Sequence, residues 1–341
     1  MPVRLTDVAA RAGVGYGTAS RALSGKGRVS AAARARVKAA ARELGYSRNV
    51  AAAALGARGQ RPSGGLKVAY VTPYPETAQA LLREVCPVFG FRGQAFDPTG
   101  FSDPKAMLRQ FWHQGYDALL INFEAFPWTE AETRTADWSR FAVVKFKRVY
   151  PGLPFHLIRH SAFDYMRLTL NRVLATGARR IAVLLVESGS FEDNEARLGA
   201  VLAARETLGK TGTRIAYRLW SGSTEQPDAD SLAWLEREHP DVVVSVTWPP
   251  LRHLLEAGWR IPEDAGFATV LRPYASDHGL PYTSIAGCRV GRREILRRAL
   301  IQLREMIGFG IKGFPELPVE HVIEPQWVEG RTLPEPKKTP A

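Results

Sequence analysis

A guanidinium, a phenol and two hydroxyls gather within six residues, Tyr16-Gly17-Thr18-Ala19-Ser20-Arg21. The planar fork of Arg21 matches guanine O6 and N7 and pairs with them bidentately, while hydroxyls such as Thr18 and Ser20 suit phosphate oxygens. Gly17 has no side chain to read a base, so it either tolerates several base pairs or permits a close backbone approach. The surroundings are cationic: residues 1–62 hold twelve Lys/Arg and two acids, Asp7 and Glu43, so ten of the chain's twelve net positive charges lie there. A positive arm on a nearly neutral body is the footprint of a module for a polyanion, with the body serving another partner. For Tyr16 the alternative is packing into the module's own core.

Catalytic and metal-binding patterns are weak. Gly13-Val-Gly15-Tyr-Gly17 resembles a nucleotide-binding glycine run, but no strand precedes it and it ends inside a helix. Glu187-Ser-Gly-Ser-Phe191 is not a nucleophile elbow, and the seven histidines show no zinc spacing. His156 and His160 would share a face if helical, but Phe155–His160 reads equally well as a strand joining two subdomains. Cys86 and Cys288 are far apart and suggest neither a disulfide framework nor a zinc site, which fits a reducing cytoplasm. No apolar run approaches the about 20 residues of a membrane span, and no signal-peptide core follows Met1. No enzyme, cofactor, metal or membrane association is therefore expected. The arginines at 289, 292, 293, 297 and 298 read as a solvated helix face.

The elements that must position the first cluster are three short helices. Thr6 is expected to cap the first, with Asp7 in its first turn, Val8, Ala9 and Ala12 on one face, and Gly13 as its stop. The second spans about Tyr16 to Leu23, its apolar side formed by Ala19, Ala22 and Leu23. Ser30 caps the third, where Val37, Ala40, Ala41 and Leu44 recur at helical spacing until Gly45. Asn49–Leu55 is too short to hold a helix alone, since isolated helices below about 12 residues are marginal, and should order only on DNA. Gly56–Gly65 has linker composition.

Beyond it the pattern changes to buried strands at 66–71, 118–122, 141–145, 181–186 and 242–246. They alternate with helical stretches at 104–114, 163–175, 195–208 and 231–238. At 341 residues and 45% apolar content, at least two domains are expected, the larger built on doubly wound parallel sheets.

The run Leu5-Thr-Asp-Val-Ala-Ala-Arg-Ala-Gly-Val14, followed by Thr18-Ala-Ser-Arg-Ala-Leu23, Arg28-Val-Ser30, Glu43-Leu-Gly-Tyr46 and Asn49 to Leu55, resembles the lactose-repressor (LacI/GalR) family. The resemblance implies a helix-turn-helix domain over 1–48, a hinge helix and linker over 49–65, and an effector-binding and dimerisation domain over 66–341. The last would be periplasmic-binding-protein-like, with two subdomains of approximately 66–158 with 287–318, and 159–286 with 319–335.

By the same resemblance Tyr16, Gly17 and Arg21 read bases, and Thr18, Ser20, Ser24, Arg28 and Ser30 contact phosphates. Leu5, Thr6 and Asn49 join the DNA-contacting set. Paired hinge segments would enter the minor groove with Ala52 close to it and Leu55 wedged into the central step, kinking the duplex. Arg48 stands where the family usually has proline.

In the larger domain Arg197 matches the effector-gripping arginine, and Trp220 and Trp248 complete the implied pocket. Leu271 replaces an aspartate that contacts sugar hydroxyls in relatives, and Thr247-Trp248 replaces Asn-Asp. An apolar group accepts no hydrogen bond, so an ordinary monosaccharide is not expected, and an apolar, aromatic or anionic effector fits better. The implied function is a cytoplasmic transcriptional regulator, a repressor that binds a pseudo-palindromic double-stranded operator as a homodimer or a tetramer and is modulated by that effector. The alternatives are a sequence-indifferent nucleoid protein, or an α/β enzyme with a basic arm.

Overall fold

The computed structural model describes residues 5–24, 29–44, 65–124, 126–147, 152–186, 191–209, 212–273 and 285–335. It divides into two compact units, Met1–Gly64 and Gly65–Ala341.

The smaller unit is a trio of helices: α1 (Leu5–Ala12), α2 (Tyr16–Ser24) and α3 (Ala31–Glu43). Gly13 adopts φ +63°, and the Val14 amide donates to the Ala9 carbonyl at 3.0 Å, so α1 stops where an L side chain would be strained. Its core is built from small residues, with Val8, Ala19 and Val37 fully covered and Ala9, Ala12, Ala22, Ala40 and Ala41 packed around them. The Ala33 amide donates to Ser30 Oγ at 3.3 Å, the expected cap of α3. Thr6 differs from expectation. The helix already includes Leu5, so Thr6 sits inside the first turn rather than capping it. Arg11 of α1 pairs with Glu43 of α3 and ties the ends of the trio together.

The larger unit holds two six-stranded sheets. The first is formed by β1 (Leu66–Val71), β2 (Phe91–Phe96), β3 (Ala118–Ile121), β4 (Ala142–Lys145), β5 (His156–His160) and, from far along the chain, β11 (Glu320–Ile323). Their order is β11-β5-β4-β3-β1-β2, all parallel. Helices α4 (Pro75–Val85), α5 (Pro104–His113) and α6 (Glu130–Arg134) connect them.

The second sheet contains β6 (Arg180–Val186), β7 (Arg214–Trp220), β8 (Val242–Ser245), β9 (Gly266–Thr269), β10 (Gly287–Arg289) and β12 (Gln326–Val328). Its order is β12-β10-β9-β8-β6-β7, with β12 antiparallel to β10. Helices α7 (Ala162–Ala175), α8 (Phe191–Leu208), α9 (Ala229–Glu238) and α10 (Pro249–Glu256) belong with it, and α11 (Arg292–Phe309) returns to the first sheet.

The central strands of both sheets are buried on both faces. In β1, Val68 enters one core cluster while Ala69 and Val71 enter another; in β6, Ile181 and Val183 oppose Ala182 and Leu184 in the same way. Continuous apolar runs are what a doubly covered parallel strand requires.

By sheet membership the chain leaves the first sheet after His160, returns to it after Arg289 and leaves it again after Ile323. Among the described residues, no helix is long and apolar enough to cross a membrane.

Candidate nucleic-acid interface and effector cleft

On α2 the buried side is Ala19 and Ala22, which leaves Tyr16, Gly17 and Arg21 exposed on the other. Tyr16 is 60% exposed, so it is not a core residue. Arg21 Nε donates to the Gly17 carbonyl at 3.0 Å, which lays the guanidinium back along its own helix. A Cβ at Gly17 would come within 3.8 Å of that guanidinium, so glycine leaves the space beside it open. Thr18 and Ser20 are half-buried at the margins of this face; Thr6 and Ser30 are exposed, and Leu5 and Ser24 are helix-terminal residues. Arg28, Asn49, Ala52 and Leu55 lie outside the described residues. Arg34, Arg36 and Lys38 on α3 add cationic charge to the same small unit.

The second constellation lies where the carboxyl ends of strands from both sheets meet, the place where open α/β sheets present ligand-binding groups. Glu124 follows β3, Lys147 follows β4 and His160 ends β5, all from the first sheet; Asp193 and Arg197 come from the first two turns of α8, after β6 of the second. Lys147 Nζ donates to Asp193 Oδ2 at 2.9 Å and stands 4.0 Å from Glu124 Oε2, so one ammonium bridges the two subdomains. Arg197 Nη2 lies 3.9 Å from Asp193 Oδ2, and Arg197 Nη1 donates to Asn194 Oδ1 at 3.4 Å.

Burial governs the titration of these groups. It raises the Asp193 carboxyl, but the charge and hydrogen bond of Lys147, together with Arg197, outweigh it and hold the pKa below the usual carboxylate value. Burial also lowers the His160 imidazole, and Lys147 reinforces the effect, bringing it to about 4, so the ring is neutral at pH 7. Arg197 is lowered by burial against the favourable charges of Asp193 and Glu124.

Of the two expected tryptophans, Trp220 ends β7 and Trp248 follows β8. Trp220 is 3% exposed in the core cluster between the second sheet and α9 and α10, where its ring stacks on His253 at 6.0 Å. Leu235 and Leu251 belong to the same cluster. Trp248 is half-buried at the start of α10, with the Arg252 guanidinium 5.3 Å from its ring centroid. Leu271 packs against the other core cluster of this sheet.

The sequence singled out Arg197 but not the groups that lie beside it. Asp193 and Arg197 are four apart on one helix, a visible pairing signal. Glu124, Lys147 and His160 are joined to them only by the topology. The arginines expected as a solvated face are largely engaged: Arg293 pairs with Glu84, Arg289 with Glu294 and Gln326, and Arg298 Nη2 lies 3.0 Å from His321 Nε2. His156 and His160 lie on a strand, and no group of His, Cys, Asp and Glu suited to a metal occurs among the described residues. Burial pushes the Cys86 and Cys288 thiols up to about 12 and about 11, which keeps both protonated.

The family model for bacterial regulatory proteins of the lacI family matches residues 4–49, the helix trio and the stretch just after it. The maltose regulon regulatory protein MalI of Escherichia coli (strain K12) is 30% identical over 252 residues, covering 72% of this chain and 71% of that protein. Among solved structures, the lac repressor dimer bound to operator and the anti-inducer ONPF superposes with a TM-score of 0.55 at 20% identity, covering 97% of this chain and 99% of that one. A periplasmic binding protein/LacI transcriptional regulator from Alkaliphilus metalliredigens QYMF, complexed with D-xylulofuranose, gives 0.60 at 14% identity over 79% and 99% of the two chains. These structural likenesses establish the periplasmic-binding-protein-like architecture of the two-sheet unit. The chain belongs to the lacI family, as a DNA-binding transcriptional regulator.

Proposed function

We propose that the chain is a repressor that binds one pseudo-palindromic operator as a homodimer and changes its operator affinity when a small effector enters the cleft between the two sheets. The observation that carries this reading is the exposed α2 face, with Tyr16 and Arg21 outward on a unit bearing ten net positive charges. A helix presented in this way fits the major groove, where Arg21 discriminates a guanine and Tyr16 reads beside it. Thr18, Ser20, Ser24, Arg28 and Ser30 set the register on phosphates, with Leu5 and Thr6 at the start of α1 alongside. Asn49, Ala52 and Leu55 act at the minor groove between half-sites.

The lac repressor dimer bound to operator supports the dimeric mode by likeness of fold. In the cleft, Arg197 is the gripping cation, and the Lys147–Asp193 bridge is the contact between subdomains that an effector would strengthen or break. Modulation then requires the effector to bind one subdomain arrangement better than the other.

The test is selection of bound duplex from a random pool, followed by footprinting. A two-fold-related site bound at least a thousandfold more tightly than random duplex supports the proposal. Uniform coverage of all sequences would instead mark a nucleoid-type binder.

A further inference from the structure

We infer that the effector of this cleft is an oxyanion, a small molecule carrying a carboxylate or a phosphate, rather than a neutral polyol; the inference rests on the cleft being an effector site. The guanidinium of Arg197 has five N–H donors, and its side chain is only 4% exposed. Among the described residues its one hydrogen bond is the 3.4 Å contact to Asn194, and its buried Nε has no partner there. The nearest carboxylate, Asp193, is held by Lys147 at 2.9 Å and stands 3.9 Å from Arg197, beyond hydrogen-bond distance. A buried cation so poorly met is costly unless a further acceptor arrives.

The same strand edge supplies two more unmatched polar groups. Among the described residues, Ser245 Oγ, at the end of β8, is fully buried without a partner, and Arg272 Nε, just after β9, is likewise buried and unpaired. Burial lowers the Arg272 guanidinium too, so both arginines carry a desolvation cost that an anion would relieve. The segments Val246-Thr247-Trp248 and Val270-Leu271-Arg272, which follow β8 and β9, bring no carboxylate to this edge.

Among the described residues, Lys147, Arg197 and Arg272 face Glu124 and Asp193, which leaves one positive charge and two buried guanidinium Nε donors unmatched. A neutral sugar hydroxyl brings no charge to offset the unmatched cation. An oxyanion only accepts, and a planar carboxylate matches the guanidinium fork with two parallel bonds. Carboxylates and phosphates share this chemistry, and matched probes separate them.

The experiment is titration calorimetry on the full chain with millimolar D-glucuronate, D-galacturonate and glucose 6-phosphate, each beside its neutral partner D-glucose or D-galactose. At least one anion is expected to bind ten or more times more tightly than its neutral partner, and Arg197→Gln to remove that preference. Arg272→Gln should weaken it, and this variant keeps the test open if Arg197→Gln fails to fold. A neutral hexose binding as well as its acid, or no anion binding at all, would overturn the inference, as would an anion preference unchanged in both variants. Operator binding by the ligand-free chain is measured in parallel. Its persistence without anion binding removes only this inference, whereas anion binding without operator binding removes the repressor reading.

Discussion

Lys147→Met removes the ammonium that joins the two subdomains, and its cost follows from the geometry of the pair. At 2.9 Å, with the Lys147 and Asp193 side chains 22% and 12% exposed, the gross Coulomb attraction at an effective dielectric of about 20 is about 6 kcal/mol. Desolvation of both groups offsets most of this, and a hydrogen bond between charged groups of this kind retains about 1.5–3 kcal/mol. Loss of either partner is softened by a second charge, Arg197 at 3.9 Å from Asp193 or Glu124 at 4.0 Å from Lys147. A double-mutant cycle of Lys147→Met with Asp193→Asn, read by urea unfolding of the full chain, should therefore give a coupling of about 1.5–3 kcal/mol. The exposed pair Arg167–Asp164, at 64% and 34% exposure, is the control and should couple by about 0.5 kcal/mol or less. The cleft coupling should also survive about 1 M salt, where exposed pairs are screened beyond about 3 Å. A cleft value no larger than the control, or one abolished by salt, would refute the assignment of this pair as the bridge between subdomains.

Acid should destabilise the larger unit in a defined window. The unfolded His160 takes up a proton near pH 6.5 while the folded ring resists until about 4, so stability falls as pH drops between those values, by on the order of 3 kcal/mol. Asp193, depressed in the fold, extends the loss at lower pH, and His160→Gln should flatten the slope above pH 4 in unfolding measured across that range. Arg21→Ala should cost about 1–3 kcal/mol on the selected operator and relax preference at one base pair, as read by binding to a set of single-substitution duplexes. Gly287→Ala places a Cβ far inside contact distance of the Thr269 carbonyl oxygen, between β10 and β9, and should cost about 3 kcal/mol or more in urea unfolding, or prevent folding.

How legible the molecule was depends on how each element is buried. The central strands β1, β3, β4, β6 and β8 are covered on both faces, and their unbroken apolar runs identified them. The edge strands were not visible by that signal. Phe91-Arg-Gly-Gln-Ala-Phe96 and Arg214-Ile-Ala-Tyr-Arg-Leu-Trp220 carry polar residues because β2 and β7 are covered less completely than the central strands. The short β9 to β12 depend on ladders with distant residues, such as Glu320 beside Leu157, which no local pattern encodes. The α2 face was legible because a helix writes its inside and outside every three to four residues.

In the cleft only Arg197 was found from sequence, since Lys147 and Asp193 meet across 46 residues through the packing of two sheets. Trp220 was expected beside a ligand; its ring lies in a core cluster shared with α9 and α10, and which side of the sheet it takes depends on the way β7 faces.

Binding of the full chain to its selected operator, compared with the same duplex in which one half-site is scrambled, addresses the reading face most directly. Two α2 helices acting together predict that scrambling one half lowers affinity by a hundredfold or more, with a steep salt dependence retained. Equal affinity for both duplexes would mean that the exposed Tyr16 and Arg21 face does not read sequence, and the regulator described here would lose its basis.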